Sequence, residues 1–113
     1  MTTAPSPEWL DIPEVCERLE LTPSRVHRLI EDRSLLATRV DGRVVVPAVL
    51  LTEQGPLPHL AGTATLLIDG GFSEASALEW LLSPLDELGT SPAQALAAGR
   101  KTEVRRIAQA LAI

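Results

Sequence analysis

Aromatic residues are nearly missing from this 113-residue chain: there is no tyrosine, one phenylalanine and two tryptophans. Because 45% of the residues are still hydrophobic, a core has to be built mostly from Leu, Val, Ile and Ala. Cysteine is just as scarce. The single Cys16 excludes an internal disulfide and a cysteine-rich metal site. It falls on the apolar face of a helix, where it reads as a small buried hydrophobe rather than a reactive thiol. No apolar run reaches about 18 residues, so no membrane span is expected. The N-terminus lacks the basic-then-apolar pattern of a secretion signal, and a cytoplasmic location is expected. Catalytic signatures are missing too. The two histidines, His27 and His59, lie far apart, and there is no HExxH, no glycine-rich phosphate loop and no GxSxG. Gly70-Gly71 reads as a helix stop rather than a phosphate cradle. Glu79, Asp86 and Glu87 read as a surface acidic patch rather than an acid–base pair. No catalytic residue, metal site or cofactor is therefore predicted, and an enzyme is the least supported class.

What is present is an uneven charge distribution. The net charge is −5, which opposes indiscriminate nucleic-acid binding. Between Thr22 and Val46, however, five arginines (25, 28, 33, 39 and 43) face only Glu31, Asp32 and Asp41, a local balance of +2. Arg100, Lys101, Arg105 and Arg106 form a second basic cluster, opposed there only by Glu103.

The first of these regions follows a pair of short helices. Asp11 is a good N-cap with Glu14 at N3, the pattern of a capping box. Ile12, Val15, Cys16 and Leu19 then repeat at i, i+3, i+4 and i+7, one helical face. Thr22 caps a second helix over 23–32, with Pro23 at N1, where a missing N–H costs nothing. Val26, Leu29 and Ile30 make its apolar stripe, while Ser24 and Arg28 point the other way with Arg25 and His27 on the flanks. The intervening turn is about three residues, as a helix-turn-helix requires. Two β-prone runs over 36–46 then flank Asp41-Gly42, a dipeptide suited to a type I′ hairpin because both central residues need positive φ. A hairpin directly after a helix-turn-helix is a wing, and Arg39 and Arg43 bracket its tip.

The rest divides as follows. Residues 1–8 are rich in Thr, Ser and Pro and read as a flexible tail, in which Thr2, Thr3 and Ser6 are candidate phosphate acceptors. Trp9-Leu10 reads as a hydrophobic staple for the first helix. Residues 9–55 form the winged unit, with a short helical turn from Pro47, and Glu53 to Pro58 breaks all periodicity at the boundary. Residues 56–113 read as a helical C-terminal domain of three or four helices. Its elements are Thr63–Asp69, a helix capped by Ser73 and running to about Leu82, Ala93–Ala98 after Ser91-Pro92, and Arg100–Ala112. The basic residues at the start of the last helix oppose its dipole, which suits either a solvated face or an external anion. The expected class is thus mainly α with a small β-hairpin.

Trp9-Leu-Asp-Ile-Pro-Glu-Val-Cys-Glu-Arg-Leu, Ser24-Arg-Val-His-Arg-Leu-Ile and Gly42-Arg-Val-Val-Val-Pro resemble the excisionase-like, MerR-related winged helix-turn-helix domains. Asp69-Gly-Gly-Phe-Ser-Glu-Ala-Ser-Ala-Leu-Glu-Trp-Leu and Ala98-Gly-Arg-Lys-Thr-Glu-Val-Arg-Arg-Ile-Ala-Gln-Ala-Leu resemble the C-terminal domain of a small actinobacterial family of DNA-binding proteins. Its mycobacterial member is a serine/threonine protein kinase substrate. The resemblance covers about residues 9–113. It implies a winged-helix fold, double-stranded DNA as partner and a kinase as a second partner, with Thr2 and Thr3 as the acceptors. Leu81 to Leu96 is also similar to the toxin-binding domain of some antitoxins, without the usual loop Asn.

Two functions remain in view. In the first, a transcriptional regulator reads the major groove with the helix over 23–32, with Ser24 and Arg28 nearest the bases, Arg25 on a phosphate and His27 donating to a phosphate or packing, while Arg39 and Arg43 of the 36–46 wing reach the backbone or the minor groove. In the second, the C-terminal helices form a protein-interaction module, antitoxin-like or an adaptor. Two DNA half-sites would call for a homodimer, which would have to use those same helices.

Overall fold

Four of the six helices among the described residues begin on a side chain that closes their first turn. The structure, a computed structural model, describes residues 8–112. Thr2, Thr3 and Ser6 lie outside that range. Asp11 caps α1 (Ile12–Leu19): its carboxylate accepts from the Glu14 amide at 3.0 Å, and Glu14 accepts from the Asp11 amide in return. Thr22 caps α2 (Pro23–Glu31), with Pro23 at its first position. The turn between them is Glu20-Leu21-Thr22, and Glu20 takes up left-handed backbone at φ 55° to make it. Val15 and Val26 are wholly buried where the two helices meet.

The chain leaves α2 through Arg33, also at positive φ, and drops Leu35 and Leu36 into the core. The hairpin ladder begins only after them, with Thr38 opposite Val45. The wing strands are therefore shorter than 36–46 suggests: β2 is Thr38–Val40 and β3 is Arg43–Pro47. Asp41 and Gly42 join them at φ 53° and 80°, the type I′ geometry expected. Trp9 and Leu10 do not act as a staple. They belong to a strand, β1 (Trp9–Asp11), which pairs antiparallel with β3, so that Leu10 faces Val46 and both are fully buried. The sheet order is β1-β3-β2. Glu8 is tied down as well, because its carbonyl accepts from Ala48 at 2.8 Å and its carboxylate pairs with Arg18 at 3.2 Å.

After a 3₁₀ turn at Ala48–Leu50, the aperiodic stretch forms a second, minimal hairpin of β4 (Leu51–Thr52) and β5 (Gly55–Pro56). Leu57 follows it, buried, with its amide on the Leu50 carbonyl. Four helices complete the chain: α3 (Leu60–Asp69), α4 (Glu74–Leu82), α5 (Pro92–Ala97) and α6 (Lys101–Leu111). One apolar cluster runs from Leu10, Val26 and Leu50 through Leu57 and Leu60 to Leu81, Leu96 and Val104, across both halves of the chain. It contains no aromatic ring among its fully enclosed members; Trp80 packs at its edge. Burying each such Leu contributes about 1.5–3 kcal/mol, so ordinary aliphatics supply the core that aromatics do not. A smaller cluster of Leu67, Ala77 and Ala108 joins α3, α4 and α6. Gly70 closes that joint from the end of α3. A Cβ there would lie 2.4 Å from Ala112 Cβ and 2.6 Å from its Cα, so only glycine lets the two helix ends meet.

Candidate nucleic-acid interface

The exposed side of α2 is set by the same periodicity that buries Val26. Ser24, Arg25, His27 and Arg28 all lie on the solvent side. Ser24, Arg25 and Arg28 line one shallow groove of about 490 Å³ with Leu21 and Leu29; His27 stands outside it. Neither Arg25 nor Arg28 has an ion-pair partner among the described residues. Two free guanidiniums and a hydroxyl on one short, rigid helix form a set of donors matched to phosphate and to guanine edges.

The wing carries the remaining predicted residues. Arg39 folds back on the turn and donates from Nη1 to the Gly42 carbonyl at 3.4 Å. Arg43 reaches across the sheet and pairs with Asp11 at 2.9 Å. Asp11 therefore serves two elements: one oxygen caps α1 and the other holds Arg43. This contact ties the turn end of the wing to the start of the helix-turn-helix. An exposed pair of this kind contributes at most about 1 kcal/mol, and Arg43 keeps 70% of its side-chain surface. A phosphate can take the place of Asp11 at little cost. Sequence reading assigned Asp11 only as a cap; its partner is 32 residues away, and no local pattern announces it.

The second basic cluster is not a single surface. Arg100 is committed internally: it forms a two-pronged pair with Glu103 at 2.6 and 3.2 Å and donates to the Leu88 carbonyl at 2.8 Å, fastening the loop before α5 to α6. The hydrogen bond from Arg100, with Arg106 nearby, holds the Glu103 carboxyl below the usual glutamate range. Arg100 is thereby removed from the candidate external contacts, because Nε, Nη1 and Nη2 are each engaged within the chain. Lys101, Arg105 and Arg106 remain exposed on α6. Among the described residues, no helix is long and apolar enough to cross a membrane, and no cluster of His, Cys, Asp and Glu could hold a metal ion.

Residues 3–51 match the model of the wHTH domain of DNA-binding protein Rv2175c, and residues 57–112 match that of the Rv2175c C-terminal domain of unknown function. The chain is similar to DNA-binding protein Rv2175c of Mycobacterium tuberculosis, with 33% identity covering 96% of this chain and 83% of the relative. It is also similar to the NMR structure of Rv2175c, at a TM-score of 0.87 and 31% identity over 100% of this chain and 86% of the other. The sheet, the wing and the four C-terminal helices thus belong to one recurring arrangement, and the chain is a member of the Rv2175c family of winged helix-turn-helix DNA-binding proteins.

Proposed function

We propose that this chain is a cytoplasmic transcriptional regulator that reads double-stranded DNA with α2 in the major groove and steadies itself with the wing. One observation carries the reading: Ser24, Arg25 and Arg28 converge on one groove of the second helix of a helix-turn-helix, with both guanidiniums unpaired. Arg28 has the reach to pair bidentately with a guanine, worth about 1–3 kcal/mol of discrimination. Arg25, Arg39 and Arg43 take phosphates, and His27 flanks them. The acidic remainder of the chain keeps non-specific binding weak. An interaction-module role would call for a contiguous exposed apolar patch on the C-terminal helices. Among the described residues, the exposed large apolar side chains are Val40 in the wing and Leu111 at the end of α6.

The test is fluorescence anisotropy of a labelled mixed-sequence duplex, at about 50 and 200 mM salt. Binding should weaken with log salt at a slope near −4, as about four or five phosphate contacts require. The double substitution Arg28→Ala/Arg43→Ala should abolish it while the protein stays folded. A folded wild-type protein that ignores the duplex at low salt would refute the reading.

A further inference from the structure

The C-terminal half contains a cleft that the DNA reading does not use. Two adjoining cavities, of about 620 and 280 Å³, meet at His59 and Lys101. The smaller lies between the first turns of α3 and α6. Its charged and titratable lining consists of His59, Lys101 and Arg105, joined by the Thr102 hydroxyl and the open Cα of Gly62, and it contains no carboxylate. Thr63 also lines it, but its hydroxyl already donates to the His59 carbonyl at 2.9 Å. The larger cavity opens toward the β4–β5 hairpin over Leu57, Pro58 and Leu96, with Gln54 and Glu53 at its far side.

Several features set this cleft apart from a uniformly solvated face. Lys101 and Arg105 stand one turn apart on α6, and His59, just before α3, faces them across the cavity. The single carboxylate of α6, Glu103, is bound to Arg100 and does not line either cavity. Lys101 and Arg105, in contrast, have no ion-pair partner among the described residues. Lys101 also sits at the positive end of the α6 dipole, where a lone cation is unfavourable and a bound anion would be favoured. The larger cavity alone falls in the size range of small-molecule sites.

We propose that this cleft binds a small phosphate monoester, its phosphate seated among His59, Lys101 and Arg105 and its organic part lying over Pro58 and Ala97. Two permanent cations and an imidazole match a dianion better than a single carboxylate. The site is independent of α2, and the reading does not depend on how the chain meets DNA.

The experiment is a titration of the ¹⁵N-labelled full chain at constant ionic strength, followed by amide correlation spectra. AMP should produce saturable shifts at Gly62, Thr63, Lys101 and Thr102. Inorganic phosphate should move the same amides more weakly, and adenosine should leave them in place. Lys101→Gln/Arg105→Gln changes two exposed side chains and should keep a dispersed spectrum while weakening AMP at least about tenfold, as the loss of two charge-assisted hydrogen bonds requires. Arg28→Ala should bind AMP unchanged. Absence of saturable shifts at these amides, or undiminished binding by the folded double variant, would overturn the proposal. So would shifts produced there by a DNA duplex but not by AMP, which would make the face a contact for the nucleic-acid backbone.

Discussion

Arg28 on α2 and Arg100 just before α6 both sit in short basic runs, yet they meet opposite fates. Arg28 lies exposed beside Ser24 and Arg25 with no acidic partner among the described residues. Arg100 is half-buried and spends its donors on Glu103 and on the Leu88 carbonyl. A helix start explains the difference. Thr22 caps α2 with its own hydroxyl, which leaves the arginines that follow free to face outward. At α6 the cap position is Arg100 itself, with no side-chain cap, and its guanidinium stitches neighbouring backbone together. Basic residues close in sequence are thus one surface in the first region, and a bolt plus a cleft lining in the second.

The sharpest way to break this contrast is at the joint that makes the C-terminal half rigid. Gly70→Ala forces a methyl into Ala112 and should destabilise the protein by about 1–3 kcal/mol, the usual cost of overpacking. Gly62→Ala, in open space within α3, should instead gain up to about 1 kcal/mol. Urea denaturation of the two variants reads both signs, and a neutral Gly70→Ala would show that the ends of α3 and α6 do not meet.

Arg100→Ala should lower the melting temperature measurably, whereas Arg106→Ala should leave it nearly unchanged, because Arg106 only flanks Glu103. Equal effects in thermal denaturation would erase the distinction between bolt and surface.

A smaller effect concerns acid. Glu103 has a folded pKa below its unfolded one. Its contribution is therefore fully present above the unfolded value, about 4.3, and is lost as pH falls through the lower folded value. Glu103→Gln should flatten the part of the stability–pH curve that lies below the unfolded carboxylate value. An unchanged curve would mean the pair does not persist in solution.

Much of the winged unit was legible because its signals are local. Asp11 with Glu14, Thr22 with Pro23, and Asp41-Gly42 each act within four residues, and each appears where expected. Ser73 and Ser91 announced α4 and α5 in the same way. What escaped depended on distant partners or on missing caps. Trp9–Asp11 is too short to show alternation and becomes a strand only through β3, more than 30 residues on. The sequence pattern starts α3 at Thr63, three residues late, because His59, in left-handed backbone, occupies the cap position without a side-chain hydrogen bond. The β4–β5 hairpin has two-residue strands and a proline in one of them, so it left no periodic trace. The candidate residues on α2 were readable from helical spacing alone. The cleft was not, since His59 stands more than 40 residues before Lys101 and looked like an isolated histidine.

The most direct test compares the two basic regions on DNA. Arg25→Ala/Arg28→Ala and Arg105→Ala/Arg106→Ala would each be titrated against the same labelled duplex across a salt series. The first pair should lose at least about tenfold in affinity, since each arginine supplies roughly 1–3 kcal/mol at a base or a charged phosphate. If both arginines act on phosphates, the salt slope should also fall by about 1.8. The second pair should keep both affinity and slope. Equal losses for the two pairs, or a larger one for the second, would contradict the assignment of the DNA-reading surface to α2.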